Sequence, residues 1–185
     1  MLSVQQRDIL LLADKCAEKC LVIVWSNAVM AEQKRAIKIF YSYAHEDQEF
    51  RDRLEKQLSV FKKQGLISEW DVRDIDAGKE LEPEIEAHLN SADIILLLIS
   101  PNFMASQYCY SNEIEQALVR HESKEVRVIP IILRPVHWQN SSIGNLKALP
   151  SEAKPVTMWR NRDEAFYDIA ESIIQTITEI TSSSD

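Results

Sequence analysis

The run Ile94–Ser100 (IILLLIS) constrains this chain most, because it holds six successive aliphatic residues and then breaks at Pro101. A strand with one wet face alternates apolar and polar residues. This one is apolar on both faces, as in the parallel sheets of α/β proteins, which carry helices on each side. Thirteen positions after Ser100, on the next predicted helix, stands Glu113. That layout brings a carboxylate to the carboxyl end of a central strand, where ligand sites form in open α/β sheets.

The flanking sequence alternates between the two periods. Ala36–Tyr43 reads as a strand, followed by a helix with Phe50, Leu54, Leu58 and Phe61 at helical spacing. Gly65 ends that helix. Leu66–Val72 is a second strand, more polar and so nearer an edge. Glu80–Asn90 is a helix with Pro83 in its first turn, and Gln107–His121 is another. Arg127–Leu133 is a fourth strand whose Pro130 points to an edge or a bulge. A long loop from Arg134 to Ala153 carries His137, Trp138 and Gly144. Pro155–Trp159 reads as a short fifth strand, and Asp163–Ile180 as the closing helix. Five strands alternating with helices predict a flavodoxin-like three-layer α/β sandwich around a five-stranded parallel sheet. The predicted domain covers residues 36–181. Residues 1–35 form an N-terminal extension with helical spacing, read as a docking or oligomerisation helix or simply a boundary, and 182–185 are a polar tail.

The 185 residues suffice for one domain with a proper core. A net charge of -8 argues against nucleic acid, which needs a cationic surface. Three glycines, and no Walker or dinucleotide pattern, argue against a glycine-rich phosphate loop. Cys16, Cys20 and Cys109 lack paired metal-ligand spacing, so no metal or other cofactor is expected. Free thiols without a disulfide framework fit the reducing cytoplasm. No signal peptide is evident, and charges at Asp14, Lys15, Glu18 and Lys19 interrupt the N-terminal apolar stretch, so no membrane association is expected.

Several segments together resemble the Toll/interleukin-1 receptor (TIR) domain family, over about Ile37 to Ile177. FYSYAHED (Phe40–Asp47) resembles its first box, and DIDAGKELEPEI (Asp74–Ile85) its BB loop. ADIILLLISPNFMASQYCYSNEIEQAL (Ala92–Leu118) resembles the third strand and the helix after it. VIPIILRPVHW and KPVTMWRNRDEAF resemble the bacterial branch. The resemblance implies the TIR fold and, for many members, NAD⁺ cleavage dependent on a glutamate at the position of Glu113. Where the enzymatic branch often carries a tryptophan four residues earlier, this chain has Cys109.

The chemistry of NAD⁺ agrees with a single carboxylate. Nicotinamide leaves as a neutral base from a cationic pyridinium, so no general acid is required, unlike ordinary glycosides. One negative charge held near the oxocarbenium-like ribose stabilises it, and the same group can instead hold the ribose hydroxyls in place. Glu113 is the catalytic candidate; the alternative is a first-turn helix charge complementing the macrodipole. Phe40, Ser42 and Tyr43 end the first strand beside the expected crevice. Tyr43 reads equally as a stacking partner for a base and as a rim aromatic. Trp70 is either a substrate wall or a core residue. Asp76, Gly78 and Lys79 lie in the BB-like loop, where Gly78 suits a positive φ and Lys79 suits the NAD⁺ phosphates, or solvent. Cys109 completes the set.

The expected function is an NAD⁺ glycohydrolase giving ADP-ribose or cyclic ADP-ribose in antiphage, immune or cell-death signalling, activated by self-association with other TIR domains. The alternative is a non-catalytic TIR adaptor acting through homotypic contacts. A nucleoside deoxyribosyltransferase relative shares the sheet type, but FYSYAHED and the BB-like loop argue against it. A phosphoacceptor receiver domain lacks its acidic cluster here, since Tyr41, Ser42 and Tyr43 occupy those places.

Overall fold

A computed structural model describes residues 35–70, 81–106 and 112–182. Strand β1 (Ile37–Ser42) leads through a single 3₁₀ turn at His45–Asp47 into α1 (Gln48–Lys63). Helix α1 ends as its sequence requires: Gln64 caps it and Gly65 adopts φ 72°, a left-handed value favouring glycine. Then follow β2 (Ile67–Trp70), α2 (Leu81–Ser91) and β3 (Ile94–Ile99). A short helix α3 (Pro101–Ala105) precedes α4 (Asn112–Glu122), β4 (Arg127–Ile132) and the long closing helix α5 (Arg162–Ser182).

The four strands are parallel, in the order β2-β1-β3-β4. This is the flavodoxin-like arrangement expected from the alternation of elements. All six residues of β3 are buried, and β3 sits between β1 and β4. Alternate side chains feed two cores. On one face Ile37, Ile39 and Tyr41 join Leu54 and Leu58 of α1 and Phe166, Ile169 and Ile173 of α5. On the other, Phe40 joins Leu89 of α2, Phe103 of α3, and Ile114 and Ala117 of α4. The sheet is thus sandwiched between helices, which is why β3 has no polar side.

Both suspected edges are edges among the described strands. β2 flanks one side, and β4, with Pro130, flanks the other. Arg127 and Leu133 donate toward Asp93 and Ile99 on the β3 side, so Val128, Pro130 and Ile132 turn their backbone outward. The Val128 N–H donates to His121 Nδ1 at 3.0 Å. The Pro130 carbonyl accepts from Leu149 N–H, and Ile132 N–H donates to the Leu149 carbonyl, both at 2.8 Å. Pro130 therefore sits where its missing donor breaks no ladder.

The fifth strand predicted at Pro155–Trp159 is not one. Val156–Met158 forms a 3₁₀ turn, closed by Met158 N–H to Pro155 and Trp159 N–H to Val156. Beside β4 stands a single parallel bridge instead, Ile131 to Leu149. The predicted helix starting at Gln107 begins at Asn112 among the described residues, and α3 precedes it as a separate element.

Candidate functional site

Connections leave β1 toward β2 and β3 toward β4, in opposite directions, so the carboxyl ends of β1 and β3 flank the switch point where open α/β sheets bind ligands. Helix α4 crosses from β3 back to the start of β4 and runs against the strands. Its first turn therefore belongs to this end of the sheet, and Glu113 is its second residue. Tyr43, Ala44, His45 and Glu46, following β1, face Asn102, Phe103, Ala105 and Ser106 of the α3 region. Together they line a cleft of about 480 Å³. Ser42, the last residue of β1, is buried, and its hydroxyl has no hydrogen-bond partner among the described residues.

Behind the cleft lies a cluster with no spacing signature in the sequence. Asp47, fully buried, accepts from the Ser100 hydroxyl through one carboxylate oxygen and from the Arg134 guanidinium through the other. The Ser100 Oγ in turn accepts from the Phe103 N–H at 3.1 Å, capping α3, with Pro101 at the first helical position. The residues following β1, β3 and β4 are thereby tied at one point. The Ser-Pro pair after a buried strand was the available sequence signal for the cap; Asp47 and Arg134, 87 positions apart, left none.

The predicted site residues divide. Tyr43 lies in the cleft and Ser42 beneath the end of its strand. Phe40 and Trp70 are brought together elsewhere, as a stacked pair on the α2 side with ring centroids 5.5 Å apart. His88 also stacks on Trp70, with ring centroids 4.0 Å apart and the rings nearly parallel. These three residues border a smaller cavity of about 230 Å³ with Lys38, Ser68 and Ser91. His88 was not singled out from sequence, and its helical position next to Leu89 gave no hint of stacking. Asp76, Gly78, Lys79 and Cys109 lie outside the described residues. Among those described, no three His, Cys, Asp or Glu gather as a metal site, and no helix is long and apolar enough to cross a membrane.

The α1 face of β1 carries a connected network of charged groups. The buried Tyr41 hydroxyl donates to Glu69, whose carboxylate is also paired with Lys62 Nζ at 3.1 Å. Lys62 reaches Glu55 at 3.2 Å, Arg51 pairs with Glu55, and the Arg51 guanidinium lies 4.9 Å above the Tyr41 ring. Burial, then the Glu69 charge, push the Tyr41 hydroxyl well above its usual range. Burial opposes the charge on Lys62, but its bonds to Glu69 and Glu55 prevail and raise it. This network lies within the α1 layer and supports it.

Comparison with known proteins places this architecture. A protein of Sinorhizobium fredii (strain NBRC 101917 / NGR234), the uncharacterized protein y4lF, is 46% identical over 143 residues, which cover 77% of this chain and 44% of that protein. The chain thus spans less than half the length of that relative. The crystal structure of the TIR domain of the Toll-related receptor TRR-2 from the lower metazoan Hydra magnipapillata is similar over 76% of this chain and 97% of that one, at 19% identity and a TM-score of 0.48. Residues 39–170 match the TIR domain family model, from β1 to the middle of α5. The chain belongs to the TIR domain family.

Proposed function

We propose that this TIR domain is an NAD⁺ glycohydrolase in which Glu113 is the catalytic carboxylate. The observation that carries the reading is the start of α4, with Glu113 in its first turn, at the carboxyl end of the sheet beside the β1/β3 switch point. The cleft there and the buried Ser42 hydroxyl, without a hydrogen-bond partner among the described residues, support it. In the reaction, the bond between the ribose C1′ and the nicotinamide nitrogen breaks, and its electron pair leaves with the neutral base. Positive charge gathers on the ribose, and the Glu113 carboxylate stabilises it. Water then attacks C1′ and loses a proton, giving ADP-ribose; attack by the adenine of the same molecule gives the cyclic product. Self-association with other TIR domains activates the protein, and its setting is immune or cell-death signalling.

The test is to incubate the concentrated full chain with NAD⁺ and measure released nicotinamide, beside Glu113→Gln. The expected result is release that vanishes in a variant with unchanged circular dichroism. Undiminished release from Glu113→Gln removes the assignment. A second reading, a non-catalytic TIR adaptor, is favoured by Cys109 standing where the enzymatic branch often has tryptophan. Absence of release from folded, assembled wild type selects it.

A further inference from the structure

We propose that the buried Asp47–Ser100–Arg134 tie is a positioning device for the helix that carries Glu113; its catalytic consequence rests on the NAD⁺-cleaving reading above. A carboxylate without exposure, such as Asp47, is a costly way to fill a core, and apolar residues of similar volume commonly serve stability as well. What an apolar substitute cannot do is fix direction. Asp47 fixes Ser100, and the Ser100 hydroxyl fixes the first turn of α3 through Phe103 N–H.

Helix α3 has five residues, too few to hold its own shape, so its cap and its core anchor decide where it lies. The anchor is Phe103, buried in the same cluster as Ile114 and Ala117 of α4. Six residues, 106–111, join α3 to α4, whose second residue is Glu113. Arg134, two residues past β4, pairs with the buried carboxylate and brings in a third strand end. Displacement of α3 is therefore passed to the start of α4, where catalytic geometry tolerates little error. Asp47, Ser100 and Arg134 are positioning residues in this scheme.

The experiment compares Ser100→Ala, Asp47→Ala and Asp47→Asn in the full chain, by amide hydrogen exchange and by steady-state nicotinamide release. Asparagine serves both neighbours, accepting from Arg134 and donating to the Ser100 oxygen. Ser100→Ala is expected to speed exchange in α3 and the first two turns of α4 by about tenfold or more, with α5 unchanged. It should lower kcat by about tenfold with KM within about twofold, the pattern of lost geometry and not lost binding. Asp47→Ala should match it, and Asp47→Asn should restore both readouts to within about threefold. Ser100→Ala removes one hydroxyl, so it decides the matter even where Asp47→Ala does not fold. Wild-type exchange in α4 of Ser100→Ala, or equal acceleration in α4 and α5, overturns the proposal. If wild type releases no nicotinamide, the functional reading fails, while the exchange arm still decides the tie.

Discussion

Replacing Tyr41 by phenylalanine should both weaken the fold at neutral pH and flatten its response to alkali. The hydroxyl donates to Glu69, whose side chain is 1% exposed. Removing it takes one partner from a buried carboxylate that retains Lys62, at a cost of about 1–3 kcal/mol. The alkaline effect has the opposite sign. In the unfolded chain a tyrosine titrates near 10.0, whereas burial and then Glu69 hold the folded hydroxyl well above that. Its contribution is therefore fully present below pH 10 and is lost as pH rises toward the folded value, because the unfolded state alone releases the proton. While the folded hydroxyl keeps its proton, that loss is about 0.8 kcal/mol at pH 10.5 and about 1.4 kcal/mol at pH 11. Lys62 also titrates in this region, but it is present in both proteins and largely cancels in the difference. Urea unfolding of wild type and Tyr41→Phe at pH 7, 9, 10.5 and 11 gives the stability gap from midpoint and slope. The gap should be constant to pH 9 and then shrink by those amounts. A gap that stays constant, or widens, to pH 11 refutes the buried-donor account.

Two glycine substitutions should fail for different reasons. A Cβ on Gly144 would stand 1.9 Å from the Gln139 carbonyl oxygen, so Gly144→Ala must displace backbone and should cost about 3 kcal/mol. Gly65 has open space but a left-handed φ, and Gly65→Ala should cost about 1–2 kcal/mol, both read from urea midpoints. Near-equal costs would contradict the clash at Gly144. His121→Ala should deprive Val128 N–H of its acceptor, lowering stability by about 1 kcal/mol and speeding exchange at that amide ahead of Ile132; unchanged protection at Val128 would show that another group supplies the bond.

The elements readable from sequence were those whose physics is local or collective along the chain. Six aliphatic residues without alternation imply burial on both faces wherever they sit, and β3 is central. Pro130 cannot donate, so it belongs where no neighbouring strand needs its N–H. Pro155–Trp159 misled because β-branched and aromatic residues also fill tight turns. A five-residue segment has too few periods to distinguish the two, and local bonds from Met158 and Trp159 decided it. At the site, β1 was expected to run to Tyr43 and ends at Ser42. The neighbours of its residues were not legible. Phe40 and Trp70 meet through parallel pairing of β1 with β2 in a register no spacing encodes, and His88 reaches Trp70 from α2. Asp47 gave no signal because its partners lie 53 and 87 residues away, and a polar residue after a strand reads as solvated.

The outer margin of β4 has a consequence for how copies of this chain can join. Its outward donors are spent: Val128 on an imidazole, Ile132 on Leu149, and Pro130 has none to offer. A passing strand finds no row of hydrogens to zip onto, so growth of one continuous sheet from molecule to molecule is blocked on that side. If copies gather as proposed above, an open sheet margin would carry a standing hazard of gathering irreversibly. On the β4 side the margin steers association toward contacts between side chains and loops, which are able to come apart again.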